Sequence, residues 1–163
     1  MRLSKVLFLS VLLSVFSLFG DSTKWGRDAL KLQHSVNTIN TLMGVNPFPD
    51  EAPGMVTAIG QKTDQLIADL AALNASLANE LPLLGADERS EALNSYAALL
   101  VQIADAGQML GNRSLTSNVS GLGTAYGASY YAYTSLSGQY GVAIKAIPIY
   151  VVVGDRGSWT IPG

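Results

Sequence analysis

The sequence offers few side chains that could perform catalysis or bind a metal. It contains one histidine, His34, and no cysteine. A Ser-His-Asp relay would have to use His34, which lies beside the apolar stripe of the first predicted helix, where a lone histidine is usually an ordinary helical residue. Zinc sites need several His or Cys ligands at short spacings, and the chain has no such pair. The sequence therefore predicts no metal site.

The carboxylates and glycines also match no catalytic pattern. Asp87, Glu88 and Glu91 stand at the predicted start of a helix, where capping and the helix dipole explain them. Asp64 and Asp69 fall on a polar helix face. The run GLGTAYG lacks the spacing of a dinucleotide-binding loop and follows a polar loop instead of a strand. We therefore expect a protein that is not an enzyme and needs no cofactor.

The N-terminus has the form of a secretory signal. Arg2 and Lys5 precede an apolar run, Val6 to Phe19, whose fourteen residues are too few to cross a bilayer. A membrane anchor is the alternative interpretation. We predict that residues 1–20 are a signal peptide, that its cleavage leaves no integral membrane segment, and that the protein is secreted.

The composition is poor in charge. Charged residues make up 13% of the chain, against about a quarter in an average soluble protein, while 48% is hydrophobic. The net charge is −2 and no cluster of Lys or Arg occurs, which argues against a nucleic-acid partner. Three acceptors for N-linked sugar agree with a secreted glycoprotein, namely Asn74, Asn112 and Asn118.

Apolar residues at steps of three and four predict three amphipathic helices. Their apolar stripes run from Ala29 to Met43, from Val56 to Leu77 and from Ala92 to Leu110. The second helix is expected from about Gly54 to Asn79. Glycine and proline supply the breaks, at Gly44, Pro82, Gly85 and Gly111.

The stretch Thr124–Gly141 contains five tyrosines, three glycines and no charge. It belongs to an apolar seam at helical steps, which predicts a fourth helix from about Val119 to Ile147. A strand is a rival interpretation because alternate residues are also apolar, but strand interiors avoid Gly and Ala. The glycines beside the seam indicate either close helix packing or a groove for a ligand chain. They are Gly123, Gly127, Gly138 and Gly141.

The end of the chain has a different pattern. Pro148 breaks the helix, Ile149–Val153 has the pattern of a strand, and GDRG has that of a turn. No other segment offers this strand a partner, so we expect an irregular or short β tail over residues 149–163. The whole pattern predicts an all-α protein, an antiparallel bundle of four long helices over residues 21–148.

A bundle with broad apolar faces and few charges suits apolar contact. It can open its core to a lipid chain or present its helix faces to a hydrophobic surface. Tyrosine fits both uses because it combines an apolar ring with a polar tip. Lys145 would supply a cation for a carboxylate head group. The candidate ligand-binding residues are Leu122, Tyr126, Tyr130, Tyr133, Tyr140 and Lys145.

Four segments carry a resemblance to a known family: DALKLQHSVNTINTLMG, VTAIGQKTDQLIADLAALNAS, ERSEALNSYAALLVQIADAGQML and YGVAIKAIP. Together they resemble the fungal hydrophobic surface-binding protein A family, which includes cell-wall galactomannoproteins. Lys145 and Pro148 look like the Lys and Pro that end the family's penultimate helix. The resemblance implies a helical, cysteine-poor protein, secreted or in the cell wall, that binds hydrophobic surfaces, lipids or fatty acids. Some members help to recruit secreted esterases, and the family has no catalytic residues.

The chain departs from that family after Pro148, where the family continues with a final amphipathic helix. The resemblance therefore leaves open whether a fifth helix is missing. Two other functions stay open on the residues alone. One is a structural cell-wall glycoprotein or protein-interaction module with no small ligand, and the other is a helical inhibitor of extracellular enzymes.

Overall fold

The computed structural model describes residues 23–45, 53–113, 115–154 and 156–162. Within them, four long helices precede a two-stranded antiparallel sheet, so the predicted helical bundle with a short β tail is confirmed. The predicted signal peptide, residues 1–20, lies outside the described residues. The elements are α1 (Lys24–Val45), α2 (Pro53–Glu80), α3 (Ala86–Asn112), α4 (Thr116–Tyr140), β1 (Ile149–Val153) and β2 (Arg156–Thr160).

The helices pack as two antiparallel hairpins. In the first, Lys24 of α1 meets Glu80 of α2, and Ser35 meets Asp69 further along. The second hairpin consists of α3 and α4, which are consecutive in the chain and pack on each other. The hairpins meet where α2 packs on α4 and α3 packs on α1. The order around the bundle is therefore α1, α2, α4, α3, which places α1 and α4 at opposite corners.

The apolar stripes of the helices face a common core. The buried leucines of α2 recur at steps of three and four, as the sequence predicts. Burying each such side chain stabilises the fold by about 1.5–3 kcal/mol relative to exposure. These leucines are Leu66, Leu70, Leu73 and Leu77.

The ends of the helices are held by side chains from other elements. The carboxylate of Glu80, the last residue of α2, accepts hydrogen bonds from the backbone N–H groups of Lys24 at 2.9 Å and Trp25 at 3.0 Å. Backbone donors in the first turn of a helix have no partner within that helix, so this carboxylate satisfies two of them for α1. Arg89 of α3 donates from Nε to the carbonyl of Leu81 at 2.8 Å, which ties the turn between α2 and α3 to the bundle.

The fourth helix ends seven residues earlier than the predicted seam, at Tyr140. Gly141 adopts a left-handed conformation with φ of 66°, and the N–H of Val142 donates back to the carbonyl of Ser137 at 2.8 Å. This is a common way to terminate a helix. Ile144 and Ile147 therefore belong to an irregular segment, in which Ile144 is exposed and Ile147 is buried. Their spacing imitates a helix because one of them still packs on the core.

The expectation that β1 has no partner is wrong. β1 pairs with β2, and Tyr150 lies opposite Trp159 in the register. Gly154, with φ of 65°, supplies the positive dihedral that a tight hairpin turn requires. The hairpin packs on α3 and α4, where Trp159 is only 9% exposed. The tail therefore contributes to the core of the bundle.

Candidate functional site

The predicted ligand-binding row on α4 divides into buried and accessible side chains. Leu122, Tyr126 and Tyr133 are fully buried in the core. Tyr130 and Tyr140 are half-buried at its margin. Lys145 is exposed in the segment after the helix. The structure therefore brings the row together, but it presents only part of the row to an external ligand.

The hydroxyl groups of the buried tyrosines bind the chain's own backbone. Tyr126 donates to the carbonyl of Pro148, and Tyr133 accepts the N–H of Lys145 at 2.7 Å. Burial raises the pKa of Tyr126 above its ordinary value, so the phenol stays protonated and remains a donor. Both contacts hold the segment between α4 and β1 against the helix. Lys145 thus takes part through its backbone, while its side chain points to no partner among the described residues.

Tyr140 makes a different contact, with a cation. The guanidinium of Arg89 lies 4.7 Å from the centre of the Tyr140 ring. A cation over an aromatic face is stabilising by about 0.5–1 kcal/mol at an accessible site. This contact links the end of α4 to the beginning of α3.

A polar network lies in the middle of the bundle. The hydroxyl of Tyr96 on α3 donates to Oδ1 of Asn74 on α2, and Asn74 Nδ2 donates to Ser129 Oγ on α4 at 2.8 Å. Burial raises the pKa of Tyr96 above its ordinary value, which keeps this donor neutral. Three helices are therefore joined through one amide, and their register depends on it.

The three predicted glycosylation sites have different surroundings. Asn112 is exposed at the end of α3, and Asn118 is half-buried on α4. Asn74 uses its amide nitrogen, the atom that would carry a glycan, to bond Ser129 inside the bundle. A glycan at Asn74 would replace that contact, whereas Asn112 offers an accessible side chain.

Two glycines on the helices receive aromatic side chains of the hairpin. A methyl group at Gly107 on α3 would overlap the ring of Trp159, and one at Gly123 on α4 would overlap the ring of Tyr150. The same Tyr150 ring also covers Gly157 on the neighbouring strand. We call the spaces above Gly107 and Gly123, which these rings fill, the glycine pits. They allow the two rings to approach the helix backbones closely.

The two rings also contact each other and the core. The ring centres of Tyr150 and Trp159 are 4.6 Å apart, and Trp159 meets Tyr126 edge-on at 5.9 Å. Sequence reasoning missed this contact, although a signal was present. Tyr150 and Trp159 each lie three residues from the Val153–Arg156 pair that closes the hairpin, which is the spacing of a cross-strand aromatic pair.

The glycines of α4 therefore have unlike roles. Gly123 is filled by Tyr150, which is a close approach made by the hairpin instead of a second helix. Gly127 and Gly138 have nothing within 4 Å of where a methyl group would lie. The sequence left open whether these glycines allow close helix packing or form a groove for a ligand. At Gly123 the structure shows neither, because the ring of Tyr150 fills the space.

The outer side of α4 and the elements that follow it are almost uncharged. From residue 114 to the end of the sequence only Lys145, Asp155 and Arg156 carry charge, and α4 itself carries none. This part of the molecule exposes large apolar side chains, which we call the apolar surface. They are Tyr131 (73% exposed), Ile144 (54%), Val152 (60%), Val153 (75%) and Ile161 (67%).

The side chains with catalytic potential lie between α1 and α2. Ser35 Oγ donates to Asp69 Oδ2 at 2.7 Å, and His34 lines the same open groove. Among the described residues, the His34 imidazole makes no hydrogen bond to either of them. In that same part of the chain, no group of three or more His, Cys, Asp or Glu could hold a metal ion.

Comparison of the chain with protein-family models, with curated proteins and with solved structures finds no match. None of the described helices is both long enough and apolar enough to cross a membrane.

Proposed function

We propose that this protein is secreted, is not an enzyme, and binds hydrophobic surfaces or lipids through the apolar surface of α4 and the hairpin. The observation that carries the proposal is the coincidence of missing charge and exposed apolar side chains in one part of the fold. Scattered apolar residues are normal on protein surfaces, but here five of them belong to a stretch of fifty residues, 114–163, that contains only three charged side chains.

The packing favours adsorption over an internal lipid site. Tyr126 and Tyr133 fill the core and bond the chain's own backbone, so a fatty acid would have to displace both contacts. Val152 and Val153, by contrast, are exposed next to the hairpin turn and need no rearrangement to meet an apolar surface. The docked aromatic rings hold that end of the hairpin in place.

The resemblance to fungal hydrophobic surface-binding proteins supports the same proposal and extends it. On that basis the protein is associated with the cell wall or the medium and recruits secreted hydrolases to hydrophobic material. The alternative is a cell-wall glycoprotein or interaction module that meets other proteins. The two-stranded sheet favours that alternative in one respect, because each strand pairs on one side only within the described sheet.

Adsorption to polystyrene beads and to triolein droplets tests the proposal. We expect the purified protein to adsorb well above an ordinary globular control, and the triple variant V152S/V153S/I161S to bind about tenfold or more weakly. Each exposed aliphatic side chain that is buried on adsorption contributes about 1 kcal/mol.

The matched control replaces a leucine outside the apolar surface. Leu83 is 82% exposed in the turn between α2 and α3, so L83S removes as much exposed apolar area as V153S. L83S should adsorb like the wild type, and circular dichroism should show that all variants keep their helices. Adsorption no stronger than that of the globular control, or an equal loss in L83S and V153S, would contradict the proposal. A defined oligomer that forms without lipid and buries these residues would favour the interaction module.

A further inference from the structure

The positive charge of α1 lies on one exposed ridge. Lys24, Arg27, Lys31 and His34 follow one another at steps of three and four, and all are exposed. Lys24 pairs with Asp28 at 2.9 Å, so that pair adds no net charge. Arg27 and Lys31 have no carboxylate within ion-pair distance among the described residues.

The ridge forms one wall of an open groove between α1 and α2, which we call the basic groove. The groove has a volume of about 490 Å³. Lys31 and His34 line it from α1, and Lys62 lines it from α2. Lys62 also lacks a carboxylate partner in the part of the chain that the structure describes. Two lysines and a histidine therefore line one open space.

Among the described residues, one carboxylate lines the basic groove, and it is already hydrogen-bonded. One carboxylate oxygen of Asp69 accepts a hydrogen bond from Ser35 Oγ at 2.7 Å, and the other accepts one from Gln65 Nε2 at 2.9 Å. This fixed negative charge weakens the attraction for an anion at that point, but it is outnumbered by the cations around it. Neutralising Asp69 should therefore strengthen the binding of an anion, whereas neutralising a lysine should weaken it.

We propose that the basic groove binds an anionic polysaccharide, whose repeated carboxylate groups contact Arg27, Lys31 and Lys62 in turn. Arg27 to His34 spans about 10 Å along the helix, which one small anion cannot cover. Among the described residues, no Phe, Tyr or Trp lines the groove, so they offer no platform on which nucleic-acid bases would stack. The exposed amide group of Gln65 suits the hydroxyl groups of a sugar.

The position of the basic groove is independent of the apolar surface. α1 and α4 stand at opposite corners of the bundle, so a glycan chain on α1 would not cover the exposed residues of α4 or the hairpin. One molecule can therefore hold an anionic glycan while it is adsorbed on an apolar surface.

Binding of fluorescein-labelled polygalacturonate, measured by anisotropy at low salt, tests the inference. We expect binding that neutral dextran does not show and that weakens about tenfold or more between 20 and 200 mM NaCl, because about three charged contacts release counterions. The variant R27Q/K31Q/K62Q should lose about tenfold or more in affinity. D69N should bind about two- to fivefold more tightly, since it removes the repulsive charge and keeps the side-chain shape.

Single-charge variants supply the matched control. K31Q and R156Q each remove one exposed positive charge, but Arg156 lies on the hairpin. K31Q should weaken binding, whereas R156Q should not. Equal effects of these two variants, weaker binding by D69N, or equal binding of dextran would overturn the inference. Tighter binding of single-stranded DNA than of polygalacturonate in the same buffer would also overturn it. Adsorption to polystyrene should stay unchanged in R27Q/K31Q/K62Q, so this test and that of the proposed function fail separately.

Discussion

Replacing Trp159 with alanine is expected to lower the free energy of unfolding by about 3 kcal/mol, the low end of the range for a buried tryptophan. The indole is 9% exposed, lies over Gly107 and meets the rings of Tyr126 and Tyr150. Without it, the hairpin loses one of the two aromatic rings that pack on helix glycines and keeps Tyr150 on Gly123. Urea unfolding followed by circular dichroism measures the loss.

Alanine substitutions of glycine give a matched test of the same docking. At Gly123 the added methyl group overlaps the ring of Tyr150, so we expect a loss of about 1–3 kcal/mol. At Gly127 and Gly138 nothing lies within 4 Å, so the same change should stabilise α4 by up to about 1 kcal/mol through its higher helix propensity. Effects of the same sign at Gly123 and Gly127 would show that the hairpin does not occupy the glycine pits.

Replacing Asn74 with alanine is expected to cost about 2–3 kcal/mol of stability. The change removes the acceptor of the buried Tyr96 hydroxyl and the donor to Ser129. A buried donor without a partner costs about 1–3 kcal/mol, which is more than the net value of the bond itself. The same urea experiment measures it.

Two controls make this second prediction specific. Asn79, five residues later on α2, is exposed, and N79A should change stability by no more than about 0.5 kcal/mol. In the N74A background, Y96F removes the unsatisfied hydroxyl, so N74A/Y96F should be more stable than the sum of the single losses predicts. Additive losses would mean that Tyr96 and Asn74 do not interact in the folded protein.

The docked hairpin connects stability to the proposed function. Tyr150 and Trp159 bury the inner side of the hairpin, and this leaves Val152 and Val153 exposed next to its turn. W159A should therefore change adsorption as well as stability, whereas N74A should change stability alone under conditions where the variant is folded.

The helices could be predicted from the sequence because their signal is local. The stripe of α2 predicts a helix from about Gly54 to Asn79, and the structure has Pro53–Glu80. Helix was also the correct choice over strand for the tyrosine-rich stretch. There the glycines and alanines that disfavour a strand are tolerated in a helix at a cost that packing offsets.

Only the first strand of the C-terminal hairpin could be predicted, because the second strand has a weak pattern of its own and the docking of the hairpin depends on distant residues. β2 contains Gly157 and few strong strand formers, so it is recognisable only beside β1. Its stability comes from Trp159 on Gly107 and Tyr150 on Gly123, contacts across long sequence separations. The end of α4 was misplaced for a related reason, since Ile147 continues the apolar spacing after the helix has stopped.

The candidate sites also differ in whether their residues are close together in the sequence. The tyrosine row was found from its spacing, but the spacing does not reveal that Tyr126 and Tyr133 bond backbone groups downstream in the chain. For the basic groove, the spacing of Arg27, Lys31 and His34 on α1 is readable in the sequence, but the contribution of α2 is not. Lys31 and Lys62 come together only because α1 and α2 run antiparallel and pack side by side.

The central claim is that the side of the molecule formed by α4 and the hairpin meets the apolar surface. Carbene footprinting of the protein in solution and adsorbed on polystyrene tests it most directly, since it reports which side chains become inaccessible. We predict that labelling of Tyr131, Val152 and Val153 falls about fivefold or more on adsorption, whereas labelling of Leu83 and His34 stays within about a factor of two. Protection of Leu83 or His34 equal to that of the two valines would contradict the claim.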